Sequence, residues 1–109
     1  MRISKNMLVN TATAFKVIAI DEDRNAIYNE GVTLDSVYVI YNDGQSNGAQ
    51  GKQPASHAVL YYDVFNSLPL GYRFDKGDKL EIEGNAYYVE NIRPFYNADG
   101  LQHYEIDLI

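Results

Sequence analysis

The last third of the chain constrains the fold most, because its apolar and charged residues alternate with a period of two. Leu80 and Ile82 alternate with Lys79, Glu81 and Glu83. Such a pattern places apolar side chains on one face of a β-strand and charged side chains on the other. The segment therefore predicts an antiparallel strand with one face in a core and one face in water.

Turn residues on either side of the next segment predict a three-stranded meander. Gly84 and Asn85 both tolerate the positive φ that a two-residue hairpin loop demands, so we expect the first turn there. The return strand covers residues 86–96, and the second turn covers residues 97–100.

The third strand of the meander alternates in the same way. Because one face must be buried, we expect Tyr104, Ile106 and Leu108 to face the core and His103, Glu105 and Asp107 to face water. On such a solvated face, truncation of Glu105 should cost the isolated domain little stability.

The first half of the chain repeats the strand pattern. We expect a hairpin of residues 15–20 and 26–29 around a polar turn at 21–25, then strands at 36–41 and 56–64. Since β-branched and aromatic residues dominate and no helical period appears, the fold class is all-β. The sequence predicts one domain over residues 1–109, a small antiparallel barrel or sandwich of about six or seven strands.

Residues 42–55 break this pattern, with three glycines and no large apolar side chain. The segment buries too little apolar surface to offset the entropy of ordering it, so we expect one long flexible loop. Loops of this length within a compact domain are often functional, although an inserted surface loop without a role remains the alternative.

Charge and composition exclude several functions. Nine basic and fifteen acidic residues give a net charge of −6, which disfavours DNA binding as the main activity. The chain has no cysteine, so disulfides and thiolate metal sites are absent. Neither a membrane-spanning run nor the apolar core of a signal peptide is expected.

Catalytic patterns are missing as well. His103 and Glu105 share a strand face and could begin a metal site, but the polar outer face of a strand explains them better. Ser67 lies in no nucleophile motif, and the acidic residues between 75 and 83 read as a solvated hairpin face. We therefore expect no enzyme activity, no cofactor and no metal.

The order and spacing of several motifs resemble the minor capsid proteins of long-tailed phages, and more specifically their head-completion or stopper proteins. The resemblance spans nearly the whole chain. It rests on Leu8, Thr11, Asp21, residues 34–37, Asp63, Phe65, Asn66, Ser67, Phe74, Gly77, Asp78, Lys79, Gly84, Tyr87, Val89, residues 103–106 and Leu108. Gln102 departs from the pattern, in which a second histidine precedes His103.

The resemblance implies a structural protein of the head–tail connector, located in the virion and assembled in the host cytoplasm. Such a chain would be a monomer in isolation and a homo-oligomeric ring below the phage portal or adaptor ring. The ring would retain packaged DNA without sequence-specific binding and would attach the tail-completion protein.

The resemblance also implies two candidate sites. His103 and Glu105 would lie at an interface with a neighbour. A channel-gating loop would contain Asp43, Gly44, Gln45, Ser46, Asn47, Gly48, Gln50, Gly51 and Lys52.

A rival hypothesis is a small β-barrel module that binds a ligand, a carbohydrate or a nucleic acid on a platform of tyrosines. The adjacent pairs Tyr61–Tyr62 and Tyr87–Tyr88 favour it. Neighbours on a strand point to opposite faces, however, so at most one member of each pair can serve a given face. A tail-side joining protein with a similar barrel is a close variant of the connector hypothesis.

Overall fold

Six antiparallel strands close into a barrel in the computed structural model, which describes residues 4–42 and 57–109. A short 3-10 helix, Lys5–Met7, precedes the strands. The strands of the described ranges are β1 Asn10–Phe15, β2 Val17–Ile20, β3 Ala26–Tyr28, β4 Val32–Tyr41, β5 Ala58–Asp63, β6 Lys79–Ile82, β7 Asn85–Asn97 and β8 Gly100–Leu108.

The barrel runs in the order β1-β4-β5-β8-β7-β6, and β1 pairs with β6 to close it. Strands β2 and β3 form a separate two-stranded sheet. The all-β prediction is thus confirmed, and of the two predicted architectures the structure is the barrel. Closure pairs both edges of the sheet with each other, which removes the open edges that promote aggregation.

The barrel interior is a packed apolar core. Ile106 and Leu108 are fully buried in it and half-buried Tyr104 packs against it, which confirms the inward face predicted for β8. The other buried members of this core are Ala12, Ala14, Leu34, Val37, Val39, Ala58, Leu60, Tyr62, Phe74, Leu80, Ile82 and Val89.

The first turn of the meander lies one residue earlier than predicted. Ile82 pairs with Asn85, so the two loop residues are Glu83 and Gly84. Both have positive φ, 52° and 84°, as a type I′ hairpin turn requires. Asn85 is therefore the first residue of β7 rather than a turn residue, although it tolerates the turn conformation.

The predicted strand at residues 15–20 divides at Lys16. There the chain leaves the barrel, and β2 pairs with β3 instead. Two hydrogen bonds with Asn29 mark the exit: the Lys16 N–H donates to Asn29 Oδ1 at 3.0 Å, and the Asn29 N–H donates to the Lys16 carbonyl at 2.9 Å. The predicted hairpin is present, but it stands outside the barrel wall.

Strand β4 is longer than predicted because it continues through a bulge at Ser36, whose φ is 60°. The Ser67 hydroxyl donates to the Ser36 carbonyl at 2.5 Å. Next to the bulge, Asp35 and Leu68 exchange two backbone hydrogen bonds of 2.9 Å. These bonds hold the segment between β5 and β6, residues 64–78, against the barrel. We call this segment the β5–β6 connector.

Candidate functional site

The gating candidates, Asp43 to Lys52, lie outside the described residues. The strands on either side of them are described: Tyr41 at the end of β4 pairs with Ala58 at the start of β5. The Asn42 N–H donates to the His57 carbonyl at 2.9 Å. The segment therefore joins two neighbouring strands at one end of the barrel.

The interface candidates His103 and Glu105 lie together on the outer face of β8. His103 Nε2 is 3.1 Å from Glu105 Oε2. Since a carboxylate only accepts, the ring nitrogen is the donor and the proton lies on Nε2. His103 Nδ1 is buried and has no hydrogen-bond partner among the described residues.

Aromatic rings cover His103 on both faces. The Phe95 ring stacks on it at 4.8 Å with an interplanar angle of 4°, and the Tyr61 ring lies at 5.9 Å. His103 is consequently only 6% exposed. His103 lies on the outer face as predicted, but it is not exposed to water as a solvated face would require, because neighbouring strands supply rings large enough to cover it.

Arg93 completes a group of side chains that we call the outer-wall cluster. Its other members are Tyr61, Phe95, His103, Glu105 and Asp107. The Arg93 guanidinium donates to both carboxylate oxygens of Asp107, at 3.0 and 2.7 Å, and lies 3.3 Å from Glu105. The hydrogen bond to Asp107 raises the pKa of Arg93 above its usual value, since it outweighs desolvation. Burial, with the nearby Glu105 charge, raises the pKa of the Tyr61 hydroxyl. The cluster is a rigid set of rings and ion pairs.

The outer-wall cluster has few free ligands for a metal ion. In the described ranges no group of three or more His, Cys, Asp or Glu side chains is arranged to hold a metal ion. The two carboxylates, at 16% and 19% side-chain exposure, are already engaged by Arg93. The arrangement is a packed set of rings and ion pairs on the outer wall of the barrel.

Two polar motifs that carried the family resemblance stabilise turns. The buried Ser67 hydroxyl accepts from the Asp63 N–H at 2.8 Å, and Asp63 Oδ1 accepts from the Phe65 N–H at 2.8 Å. Asp78, also buried, accepts from the Asp75 N–H at 2.9 Å. These groups hold the β5–β6 connector, including the turn before β6.

An ion-pair site at Lys16 was missed in the sequence. Lys16 Nζ lies 2.7 Å from Asp78 and 2.9 Å from Asp75, and 5.3 Å from the centre of the Tyr72 ring. Burial alone would lower the pKa of Lys16, but the hydrogen bonds to the two aspartates raise it by more, so this pKa lies above its usual value. The pKa of Asp75 is lowered in turn, chiefly by its hydrogen bond to Lys16. Some sixty residues separate the partners, and no local pattern signals the pairing.

A cavity of about 580 Å³ opens between the β5–β6 connector and the β7–β8 hairpin. Four aromatic side chains, Tyr62, Tyr72, Phe74 and Tyr104, line it together with Arg73. The Tyr72 hydroxyl is buried and has no hydrogen-bond partner among the described residues. We call this the aromatic pocket.

The tyrosine pairs divide between two faces, as predicted. Tyr62 is 1% exposed in the core, whereas Tyr61 packs on the outer wall beside Tyr38, with ring centres 5.6 Å apart and planes tilted by 48°. Tyr87 packs against the core and Tyr88 is exposed. Most of these rings serve packing, which leaves little for an exposed stacking platform.

The chain belongs to the minor capsid protein family. The family's sequence model, described as "Minor capsid protein", matches residues 4–108 and so includes every strand of the structure. Searches of curated proteins and of solved structures found no match. Family membership gives the chain a structural role in the phage particle and a place in the virion.

The described residues contain no helix that is long and apolar enough to cross a membrane.

Proposed function

We propose that this chain is a non-enzymatic subunit of the phage head–tail connector. It assembles as a ring below the portal or adaptor ring, retains the packaged DNA and attaches the tail-completion protein. The observation that carries the proposal is the family match across residues 4–108. The barrel is the scaffold of the subunit, and its loops and outer wall make the contacts.

The outer-wall cluster supports a contact role for one side of the barrel. Phe95 is exposed, with 37% of the residue accessible, and half-buried Arg93 presents 39% of its side chain to solvent. His103 and Glu105 lie behind them and fix their positions. An interface on this wall would therefore be formed by Arg93 and Phe95, with His103 and Glu105 as the positioning residues.

Net charge supports the conduit role. A charge of −6 repels the phosphate backbone, so packaged DNA would slide along the ring rather than bind to it. The segment 42–55 joins neighbouring strands at one end of the barrel, and a loop from each subunit could there meet at the axis of a ring. We assign the gating role to this segment.

The proposal is tested in phage particles. Heads assembled without this chain should lose packaged DNA and fail to bind tails, and the wild-type chain should restore both. Cryo-electron microscopy should find the restored chain at the head–tail junction. Normal DNA retention and tail attachment in its absence would refute the connector role.

The gating assignment has its own test. Deletion of residues 44–53 should change the free energy of unfolding by only about 1 kcal/mol, because the entropy of loop closure varies slowly with length. Particles with the shortened chain should nevertheless leak DNA before tails attach. Heads that keep their genome with this variant would exclude the segment from gating.

One observation favours the rival ligand-binding function, namely the aromatic pocket. Its size falls within the usual range for small-molecule sites, and its rings with Arg73 could stack on a carbohydrate or another planar ligand. Calorimetric titration with a panel of oligosaccharides tests this directly. Saturable binding that is lost in Tyr72→Ala would favour the rival function.

A further inference from the structure

The hairpin outside the barrel carries apolar side chains into water. We call β2, β3 and the turn between them the arm. Every residue of β2 is exposed, with Ile18 at 63% and Ile20 at 62%, and Ile27 of β3 is 43% exposed. Among the described residues no other strand pairs with this sheet. A two-stranded sheet without a covered face is marginal in water, so its order must come from its root.

Two sets of contacts fasten the root of the arm to the barrel. Lys16 forms ion pairs with Asp75 and Asp78. In addition, Lys79 Nζ lies 5.1 Å from the centre of the Phe15 ring and 5.7 Å from that of Tyr28. An apolar arm held in one orientation loses little entropy on binding, which is what a docking element requires.

The turn of the arm is also fixed, and it is acidic. Asp21 Oδ1 accepts from the N–H groups of Asp23 and Asn25, both at 2.8 Å. With Glu22, the turn carries three carboxylates and one cation, Arg24. A surface that receives the arm should therefore combine an apolar hollow with a positive charge.

The aromatic pocket and the β5–β6 connector beside it provide such a surface. The pocket is concave and lined by rings, and Arg73 contributes a cation. The β5–β6 connector adds Leu68 and Leu70, which are 46% and 63% exposed. Apolar shape and charge are thus complementary between two different surfaces of one molecule. Head-to-tail contacts between two such different surfaces are the kind that generate rings.

We propose that the arm of one copy docks on the aromatic pocket and β5–β6 connector of a second copy of this chain. Ile18 and Ile20 contact Leu70 and the pocket rings, and the acidic turn faces Arg73. The inference deepens the proposed ring, since it names the surfaces through which neighbouring subunits meet.

The area of the contact fits a ring that forms on a template. A fully exposed aliphatic side chain presents roughly 100 Å² of apolar surface. At the observed exposures, Ile18 and Ile20, which lie on the same face of β2, together present roughly 120 Å². A stable interface buries about 800 Å² on each partner, so a single arm contact is weak and needs the preceding ring to assemble it.

Cross-linking of single-cysteine variants tests the contact. The chain has no cysteine of its own, so each variant carries one thiol and a cross-link can form only between copies. Ile18→Cys and Leu70→Cys proteins are mixed at up to about 1 mM, a concentration suited to a weak contact, and treated with a short bis-maleimide. We expect the mixed 18–70 dimer to form at least fivefold faster than a dimer of Ile18→Cys with Val9→Cys. Val9 is 73% exposed and belongs to neither surface.

Equal rates for the two pairs would overturn the proposal, as would a predominance of 18–18 dimers, which would mean that arms pair with each other. The variant Ile20→Asp adds a second measurement. Because Ile20 is exposed, this variant should unfold like the wild type while its 18–70 cross-linking rate falls at least fivefold; an unchanged rate would also refute the contact.

The Ile18→Cys and Leu70→Cys variants also distinguish the docking contact from the proposed role in the phage head–tail connector. If the wild-type chain lies at the head–tail junction but the 18–70 link does not form in particles, the docking contact is wrong and the connector role stands. If the link forms in solution while the wild-type chain is missing from the junction, the connector role is wrong and the contact stands.

Discussion

Replacement of Glu105 by alanine should destabilise the isolated domain, in contrast to what the alternation of β8 suggests. Its carboxylate is 16% exposed and accepts the Nε2 proton of a histidine that is itself 6% exposed. Removal of the acceptor leaves a buried N–H without a partner, which costs about 1–3 kcal/mol. Arg93 keeps both bonds to Asp107, so its lost contact adds little. We expect a loss of about 2 kcal/mol.

Thermal unfolding followed by circular dichroism measures this loss. For a chain of 109 residues, about 2 kcal/mol lowers Tm by roughly 8–10 °C. The matched control is Glu90→Ala, which removes an exposed carboxylate from the adjacent strand β7 and should change stability by about 0.5 kcal/mol or less. Glu105→Gln keeps an acceptor oxygen for His103 and should fall between the two.

Two results would refute this reasoning. If Glu105→Ala and Glu90→Ala unfold at the same temperature, the bond to His103 contributes nothing to the fold. If Glu105→Gln is as unstable as Glu105→Ala, the charge facing Arg93 matters and the acceptor for His103 does not.

Three further predictions concern the core, the ion pair and assembly. Ile106→Ala removes a fully buried side chain from the barrel and should lower the free energy of unfolding by about 2–4 kcal/mol in urea, with an unchanged m-value. Lys16→Met should cost about 1–3 kcal/mol at pH 7, because it leaves the buried Asp78 carboxylate without its cation. Folding lowers the pKa of Asp75, so its ion pair with Lys16 stabilises the fold above the unfolded pKa, and this stabilisation is lost as the pH falls through the folded pKa. In acid unfolding, the difference in stability between Lys16→Met and the wild type should therefore narrow below about pH 4. Sedimentation velocity at micromolar concentration should show a monomer, and a closed ring without a template would contradict the weak arm contact.

The meander and the core face of β8 were predictable because alternation and turn residues act locally. Ile106 and Leu108 face inward as expected, and the turn after β6 was displaced by only one residue. Asn85 and Gly84 tolerate the same backbone conformation, so the sequence could not decide which pair formed the loop.

The covering of His103 could not be predicted, because it depends on a bulge. Moving away from the turn between β7 and β8, Asn97 pairs with Gly100 and Tyr96 pairs with Leu101, but Phe95 pairs with His103. The register shifts by one residue at Gln102. Without this shift the partner of His103 would be Pro94, which has no aromatic ring to stack on His103.

The arm shows a different limit. The unbroken apolar run of β2 is what a fully buried strand would present, yet all four residues are exposed. The reason is that the chain leaves the barrel at Lys16, through contacts with Asp75 and Asp78 that lie far away in sequence. Apolar composition alone cannot distinguish a strand buried in the core from a strand exposed on the surface.

The ladder that closes the barrel has a consequence for how the chain folds during synthesis. It joins residues 13–15 to residues 79–81, across well over half of the chain. Strand β1 is made first, but its second neighbour leaves the ribosome only after β4 and β5 have been made. Until then one edge of the growing sheet is unpaired and can associate with other chains. Folding should therefore be slow for a domain of this size, since distant segments must meet before the barrel can close.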